Sequence, residues 1–468
     1  MKFVDRKQEL RRLRDLTRFP KASVAVIWGR RRMGKTRLLL EWVDQHQGVY
    51  YAADQSAGSI QRKYFAIALE QALPNFSKVE YPDWTTFFSR LASDAKQAKW
   101  RGPIVIDELP YLISVSPELP SVLQKFIDTD AKKANLIIAL CGSSQRMMQG
   151  AILESSAPLY GRADEIIKLA PIPIGYMKEA LHFKTPRKII ESYAIWGGIP
   201  RYWELLEKNK KNFLESIDKI VLDPMGPLNE EPNRLLLEEL PSAINLRPIL
   251  DAIGLGAHRL SEVASRICLP VTSLARPIQR LLELDLIQRE TPYGVNAQNS
   301  KKTLYKIKDP FIRFWFTVVA PRRSQFSQAI SITRKQWLKE ALTSLFSITW
   351  EELCRHAVPK LSQYWHGEIY GQAGRFWHGQ DQEWDILSES ENRSTLLIGE
   401  AKWTAKPPTT AFVYKAIEQL KRKGVPPIKR HSNIRLLHVL FISEKPKQLK
   451  EPKGVRVIDA KEIIRALK

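Results

Sequence analysis

Two short stretches of this sequence hold residues whose types and spacing could do chemistry. In the first, Gly29-Arg30-Arg31-Arg32-Met33-Gly34-Lys35-Thr36, two glycines bracket a basic loop that ends in a lysine and a hydroxyl. Backbone N–H groups of such a loop can converge on a phosphate, and a following helix N-terminus adds positive potential. Lys35 would then reach the β- and γ-phosphates, and Thr36 would ligate Mg²⁺. The phosphate cradle needs an acid to hold the metal, and Asp107 supplies one at the end of an apolar run, "PIVIDEL". Glu108 beside it is placed to orient or deprotonate an attacking water. The pair points to hydrolysis of ATP rather than to nucleotide binding alone. Ser143 and Ser144, after the next apolar run, read either as polar sensors of the γ-phosphate or as a plain strand-to-helix turn. Arg162, in "APLYGRADE", could stabilise transition-state charge in its own or a neighbouring subunit, which leaves a homo-oligomer open.

The second stretch is "EWDILSESENRSTLLIGEAKW", residues 383–403. Asp385 falls on one strand, "SESENRS" forms a turn, and "TLLIGEAKW" returns. Glu400 and Lys402 are two apart on a strand and so project from one face. A hairpin can bring Asp385 beside them. Carboxylates at 385 and 400 suit a hard cation such as Mg²⁺, and the lysine can steady a phosphate oxygen. This is the constellation of metal-dependent phosphodiester cleavage. Glu351 or Glu352, on a preceding helical stretch, offers a further carboxylate.

Elements must position these groups. From 20 to about 170, apolar strand candidates at 23–29, 48–53, 103–109 and 135–143 alternate with helical segments, the pattern of a parallel α/β sheet covered on both faces. A first helix carries Leu10, Leu13 and Leu16 on one face. The expected units are a core over 1–175, a helical lid over 176–245, a winged helix over 246–320 and a mixed α/β domain over 337–468. A linker-like stretch is expected at 320–336. In the winged helix, Ser273 is the expected N-cap of a second helix whose Arg276 and Arg280 would face DNA.

The chain has 468 residues, enough for several domains. Lys and Arg number 73 against 50 Asp and Glu, a net charge of +23, which favours a polyanionic partner, DNA first. Cys141, Cys268 and Cys354 are spaced for neither a metal knuckle nor a disulfide framework and read as reduced thiols. No apolar run approaches the ~18 residues of a membrane span, so a cytoplasmic protein without a membrane partner is expected.

"FVDRKQEL", "WGRRRMGKT", "IVIDELPYL", "PLYGR" and "GGIPRYW" together resemble the archaeal-type ATPases of the AAA+/STAND division. "TLYKIKDPFIRFWF" and "GEAKW" resemble their carboxyl-terminal domain of unknown function, which is similar to restriction-endonuclease folds of the PD-(D/E)xK type. Glu383-Trp384 stands where the Pro-Asp that names that fold would be. The resemblance implies ATP and Mg²⁺ as cofactors. It gives ATPase roles to Lys35, Thr36, Asp107 and Glu108, and nuclease roles to Asp385, Glu400 and Lys402. Three readings stay open: a DNA-acting, nuclease-like module controlled by ATP, a STAND-type switch whose carboxyl-terminal domain only binds nucleic acid or protein, and a DNA-binding regulator that uses ATP as a conformational signal.

Overall fold

The structure is a computed structural model and describes residues 1–143, 148, 150, 152, 154–209, 212–239, 246–295, 302–365, 367–377, 382–428 and 434–468. The chain divides into two compact units, Asp5–Pro171 and Met1–Val4 with Ile172–Lys468. Among the described residues no helix is long and apolar enough to cross a membrane.

In the first unit, β1 (Ser23–Trp28), β2 (Val49–Ala52), β3 (Ile104–Asp107), β4 (Ile137–Gly142) and β5 (Glu165–Lys168) form one parallel sheet. Its order is β2-β3-β4-β1-β5. Every residue of β3 and β4 is buried, which is why these strands read as unbroken apolar runs. β5 is absent from the strands expected above. Its sequence, Glu-Ile-Ile-Lys, occupies the sheet edge and buries only Ile167, so it carries too little apolar signal to stand out. The first helix, Lys7–Arg18, buries Leu13 and Leu16 as its periodicity requires.

The second unit begins with helices, among them Pro186–Trp196 and Pro200–Asn209. Gly197 ends the first of these at φ 56, where a side chain would be strained. Helices Leu260–Arg266 and Ala275–Glu283 follow, then the antiparallel pair β6 (Ile287–Glu290) and β7 (Leu304–Ile307). Ser273 is not the N-cap. A 3₁₀ turn, Val271–Leu274, leads into the second helix, and the Ser273 hydroxyl donates to the Pro270 carbonyl instead. Arg280 is paired with Glu283 at 3.0 Å, while Arg276 is exposed.

The stretch expected as a linker is helical. Residues 331–336 open a helix that runs from Ser331 to Ala357. Its Arg334 is buried against Asp218 at 2.5 Å, a pairing between positions far apart in sequence that no local pattern announces.

The second sheet is mixed: β8 (Gly374–Phe376), β9 (Trp384–Glu389), β10 (Thr395–Lys402), β11 (Arg435–Ile442) and β12 (Val455–Asp459), in the order β12-β11-β10-β9-β8. β10, β11 and β12 run parallel; β9 is antiparallel to both β10 and β8. The helix Thr410–Arg422 joins β10 to β11 and buries Val413, Ala416, Ile417 and Leu420. These apolar groups pack with the inward residues of the sheet.

Candidate functional site

In a parallel sheet, ligands gather at the carboxyl ends of the strands. The glycine loop leaves β1 there, and Asp107 ends β3. Gly29, at φ 148, lies so close to Leu169 that an added Cβ would stand 3.0 Å from the Leu169 carbonyl oxygen. Gly34, at φ 84, caps the helix Lys35–Gln45 in a left-handed conformation. Arg32 also has positive φ, and Met33 is buried. The loop thus curls tightly, with the Lys35 ammonium donating to the Gly29 carbonyl at 2.7 Å and the Arg30 carbonyl at 3.3 Å. Arg31 donates to the Tyr111 hydroxyl at 2.7 Å. From below, buried Arg6 donates to the carbonyls of Met33 and Ala170 at 3.1 and 2.8 Å, fixing the loop to the segment after β5.

Asp107 is 2% exposed and accepts several hydrogen bonds. Oδ2 takes one from Thr36 Oγ1 at 3.0 Å and one from the Tyr50 hydroxyl at 2.6 Å; Oδ1 takes one from the Glu108 N–H at 2.9 Å. Burial and the Asp107 charge push the Tyr50 phenol far above its ordinary range, so it stays a donor. Burial, followed by the Asp107 charge, likewise pushes the nearby Cys141 thiol up. Glu108 sits at φ 53, and its carboxylate accepts from Ser143 Oγ at 2.5 Å and Ser143 N–H at 3.2 Å. Thr36, Asp107, Glu108 and Ser143 are therefore linked as one network. Ser144 lies outside the described residues. Arg162 engages Asp128 at 2.8 Å and the Pro158 and Tyr160 carbonyls, rather than the loop. Tyr50 and Arg6 are the residues that the sequence reading missed. Tyr50 had a signal, a polar tip on the strand that pairs with β3.

In the second sheet, Gly399 pairs with Ile386, and the next residues along the two antiparallel strands are Glu400 and Asp385, whose charges interact. A Cβ at Gly399 would come within 3.0 Å of both Ile386 and Phe441, so glycine lets the strands close beside Glu400. Asp385 Oδ2 accepts the Ala401 N–H at 3.0 Å, and Arg355 donates to the Asp385 carbonyl at 3.0 Å. Each oxygen of the Glu400 carboxylate has an ammonium: Lys402 at 2.7 Å and Lys423 at 2.7 Å. Burial and the facing Glu400 charge hold Asp385 above the ordinary carboxylate range. Burial opposes the charge on Lys402, but the bond to Glu400 together with the charges of Glu400, Asp385 and Glu351 outweighs it, and the ammonium is held above its usual range.

The carboxylate offered by the long helix is Glu351, whose carboxyl is pushed up to about 7 by burial and then by Asp385. Glu352 is bound by Arg313 at 2.6 Å instead. A cleft of about 380 Å³ opens here, lined by Gln382, Glu400, Lys402, Gln419, Arg422 and Lys423. Among the described residues no group of three or more His, Cys, Asp or Glu side chains could hold a metal ion.

Residues 3–206 match the family described as an ATPase domain predominantly from Archaea, and residues 315–420 match a family of archaeal and bacterial proteins of unknown function. The uncharacterised protein MJECL04 of Methanocaldococcus jannaschii is 29% identical over 404 residues, 86% of this chain and 87% of its own. Among solved structures, the Walker-type ATPase paby2304 of Pyrococcus abyssi is similar with a TM-score of 0.53 and 20% identity, covering 67% of this chain and 96% of that one. The ORC2 protein of Aeropyrum pernix follows at a TM-score of 0.45 and 12% identity, covering 73% and 95%. Residues 3–206 thus resemble an archaeal ATPase domain, and the fold is similar to that of a Walker-type ATPase.

The Glu351 environment gives a prediction with a sign. Its folded-state pKa lies above its ordinary 4.5, at about 7, so folding favours the protonated acid. That contribution is complete below pH 4.5 and is lost as the pH rises to about 7. In denaturant melts, Glu351→Gln should gain stability relative to the parent across that window. A difference that stays constant with pH would contradict the assignment.

Proposed function

We propose that this protein binds and hydrolyses ATP and that its nucleotide cycle controls a DNA-binding, nuclease-like carboxyl-terminal module. One observation carries the first half: the buried Asp107 carboxylate receives Thr36 Oγ1 on the oxygen it shares with Tyr50 and adjoins the Glu108–Ser143 pair. A hydroxyl and a buried carboxylate are hard oxygen donors, the set that Mg²⁺ takes. Thr36 and Asp107 would hold that ion, which would supply charge neutralisation to the phosphates. The chain supplies the rest. N–H groups from Gly29 to Gly34 cradle the β-phosphate, Arg30, Arg31 and Arg32 add positive potential, and Lys35 leaves its loop carbonyls for the β- and γ-oxygens. Glu108, held by Ser143, orients the attacking water and takes its proton. Arg162 would serve transition-state charge only on leaving Asp128, in its own or a neighbouring subunit.

Lys35→Ala should weaken nucleotide binding. Glu108→Gln should keep binding and lower turnover by about 100- to 10,000-fold, the usual contribution of a positioned base. Phosphate release measured beside fluorescent-nucleotide binding checks both. Turnover by Glu108→Gln equal to the parent would remove Glu108 from the role.

For the second unit, the reading rests on Asp385 and Glu400, whose charges interact, with Lys402 beside them. The two carboxylates offer a divalent cation hard oxygens, and such an ion when bound polarises a phosphodiester. Lys402 would stabilise charge on a phosphate oxygen. The basic excess of +23 supports DNA as the partner. Asp385→Ala or Glu400→Ala should each abolish Mn²⁺ binding in calorimetry and any Mn²⁺-dependent DNA cleavage, while DNA-independent ATP hydrolysis survives. Lys402→Ala should retain Mn²⁺ binding and lose cleavage. Unchanged Mn²⁺ affinity in both carboxylate variants would leave the second reading, a STAND-type switch with a non-catalytic binding domain. That reading is favoured by the two ammonium groups already engaging Glu400.

A further inference from the structure

The cleft beside Glu400 contains a cation that the phosphodiester chemistry above does not use. Lys423 comes from the end of the helix Thr410–Arg422, 23 residues beyond Glu400, yet its ammonium lies 2.7 Å from Glu400 Oε2. Its position is built. Lys423 is the helix C-cap, and Gly424 follows at φ 68, the left-handed residue that ends a helix. The Gly424 carbonyl accepts the Trp384 indole N–H at 3.2 Å, which ties this helix end to β9 one residue before Asp385. The Lys423 side chain is only 14% exposed, whereas Arg422 beside it is 82% exposed.

Of the charged groups among the described residues that line the cleft, Lys402, Lys423 and Arg422 are cations and Glu400 is the one carboxylate, so these residues carry +3 − 1 = +2. Gln382 and Gln419 add amide donors. Lys402 and Lys423 each contribute an ammonium with three donors, of which one is committed to Glu400. At about 380 Å³, the cleft has room for on the order of ten waters at about 30 Å³ each, and thus for a phosphate group with its flanking oxygens. A cleft that is net positive, donor-rich and open on one side fits an anion of that size. Glu400 holds both ammonium groups in place without cancelling them.

We propose that Lys423, with Arg422 and Gln419, forms a binding site for a backbone phosphate of DNA, one that works without a metal ion. The proposal rests on the DNA-acting reading of the second unit and adds to it the residues that grip the strand. Lys423 is a binding residue here, distinct from Lys402, whose charge faces the reacting phosphate.

The test uses the full chain and a fluorescein-labelled DNA duplex in EDTA, with anisotropy read across a potassium chloride series. Lys423→Gln should weaken binding several-fold and reduce the slope of log affinity against log salt by about 0.9, the loss of one phosphate contact on duplex DNA. Lys423→Arg should restore both. Arg422→Gln, at an exposed position, should act in the same direction and carries the test if Lys423→Gln melts early. If the parent binds DNA and these variants match it in affinity and slope, the site is overturned while the DNA reading stands. If the parent binds only when Mn²⁺ is added, the metal-free claim is overturned. If the parent does not bind at all, the site and the DNA reading fall together.

Discussion

The Asp107 carboxylate is the point on which the proposed nucleotide site depends. It is 2% exposed, and a charge so far from water persists only when donors replace the solvent. Those donors come from different parts of the first unit: Thr36 from the helix after the glycine loop, Tyr50 from the neighbouring strand, and the N–H of Glu108 from the turn that follows. Each such bond to a charged group contributes about 1.5–3 kcal/mol. The same bonds also fix where the hydroxyl of Thr36 and the backbone of Glu108 stand. Burying the acid thus organises the glycine loop, the neighbouring strand and the turn after β3.

Glu400 plays a comparable part in the second unit with the opposite charge logic. It is flanked by two ammonium groups and interacts with a second acid, Asp385, whose proton affinity is raised by burial and then by the Glu400 charge. The Gly399 backbone and the helix end that brings Lys423 meet at Glu400, and the long helix brings Glu351 and Arg355 to Asp385. A carboxylate held this way keeps two cations at the wall of the cleft.

Much of this was legible in the sequence because the signals are local. GxxxxGKT between an apolar strand and a helix, an acid pair closing a buried strand, and a hairpin with Asp385 across from Glu-x-Lys all depend on spacing of a few residues. The features missed are those set by distant parts of the chain. Arg6 reaches the loop across 27 positions, Lys423 reaches Glu400 across 23, and Arg334 pairs with Asp218 across 116. None of these pairings leaves a periodicity. β5 was overlooked because an edge strand with one buried residue lacks alternation to read, and the stretch at 331–336 was mistaken for a linker because its polar residues disguise the first turns of a long helix. Ser273 matched the preferences of an N-cap, but a 3₁₀ turn takes its place and draws its hydroxyl backward.

The measurement that tests the role of Asp107 most directly is calorimetric titration of ATP into the parent and Asp107→Asn, each with and without Mg²⁺. Asparagine preserves the shape and one acceptor oxygen for Thr36 and Tyr50 while removing the charge. The account predicts that Mg²⁺ tightens ATP binding to the parent, and that Asp107→Asn keeps the metal-free affinity provided by the glycine loop but loses the gain from Mg²⁺. An equal Mg²⁺-dependent gain in both proteins would contradict it.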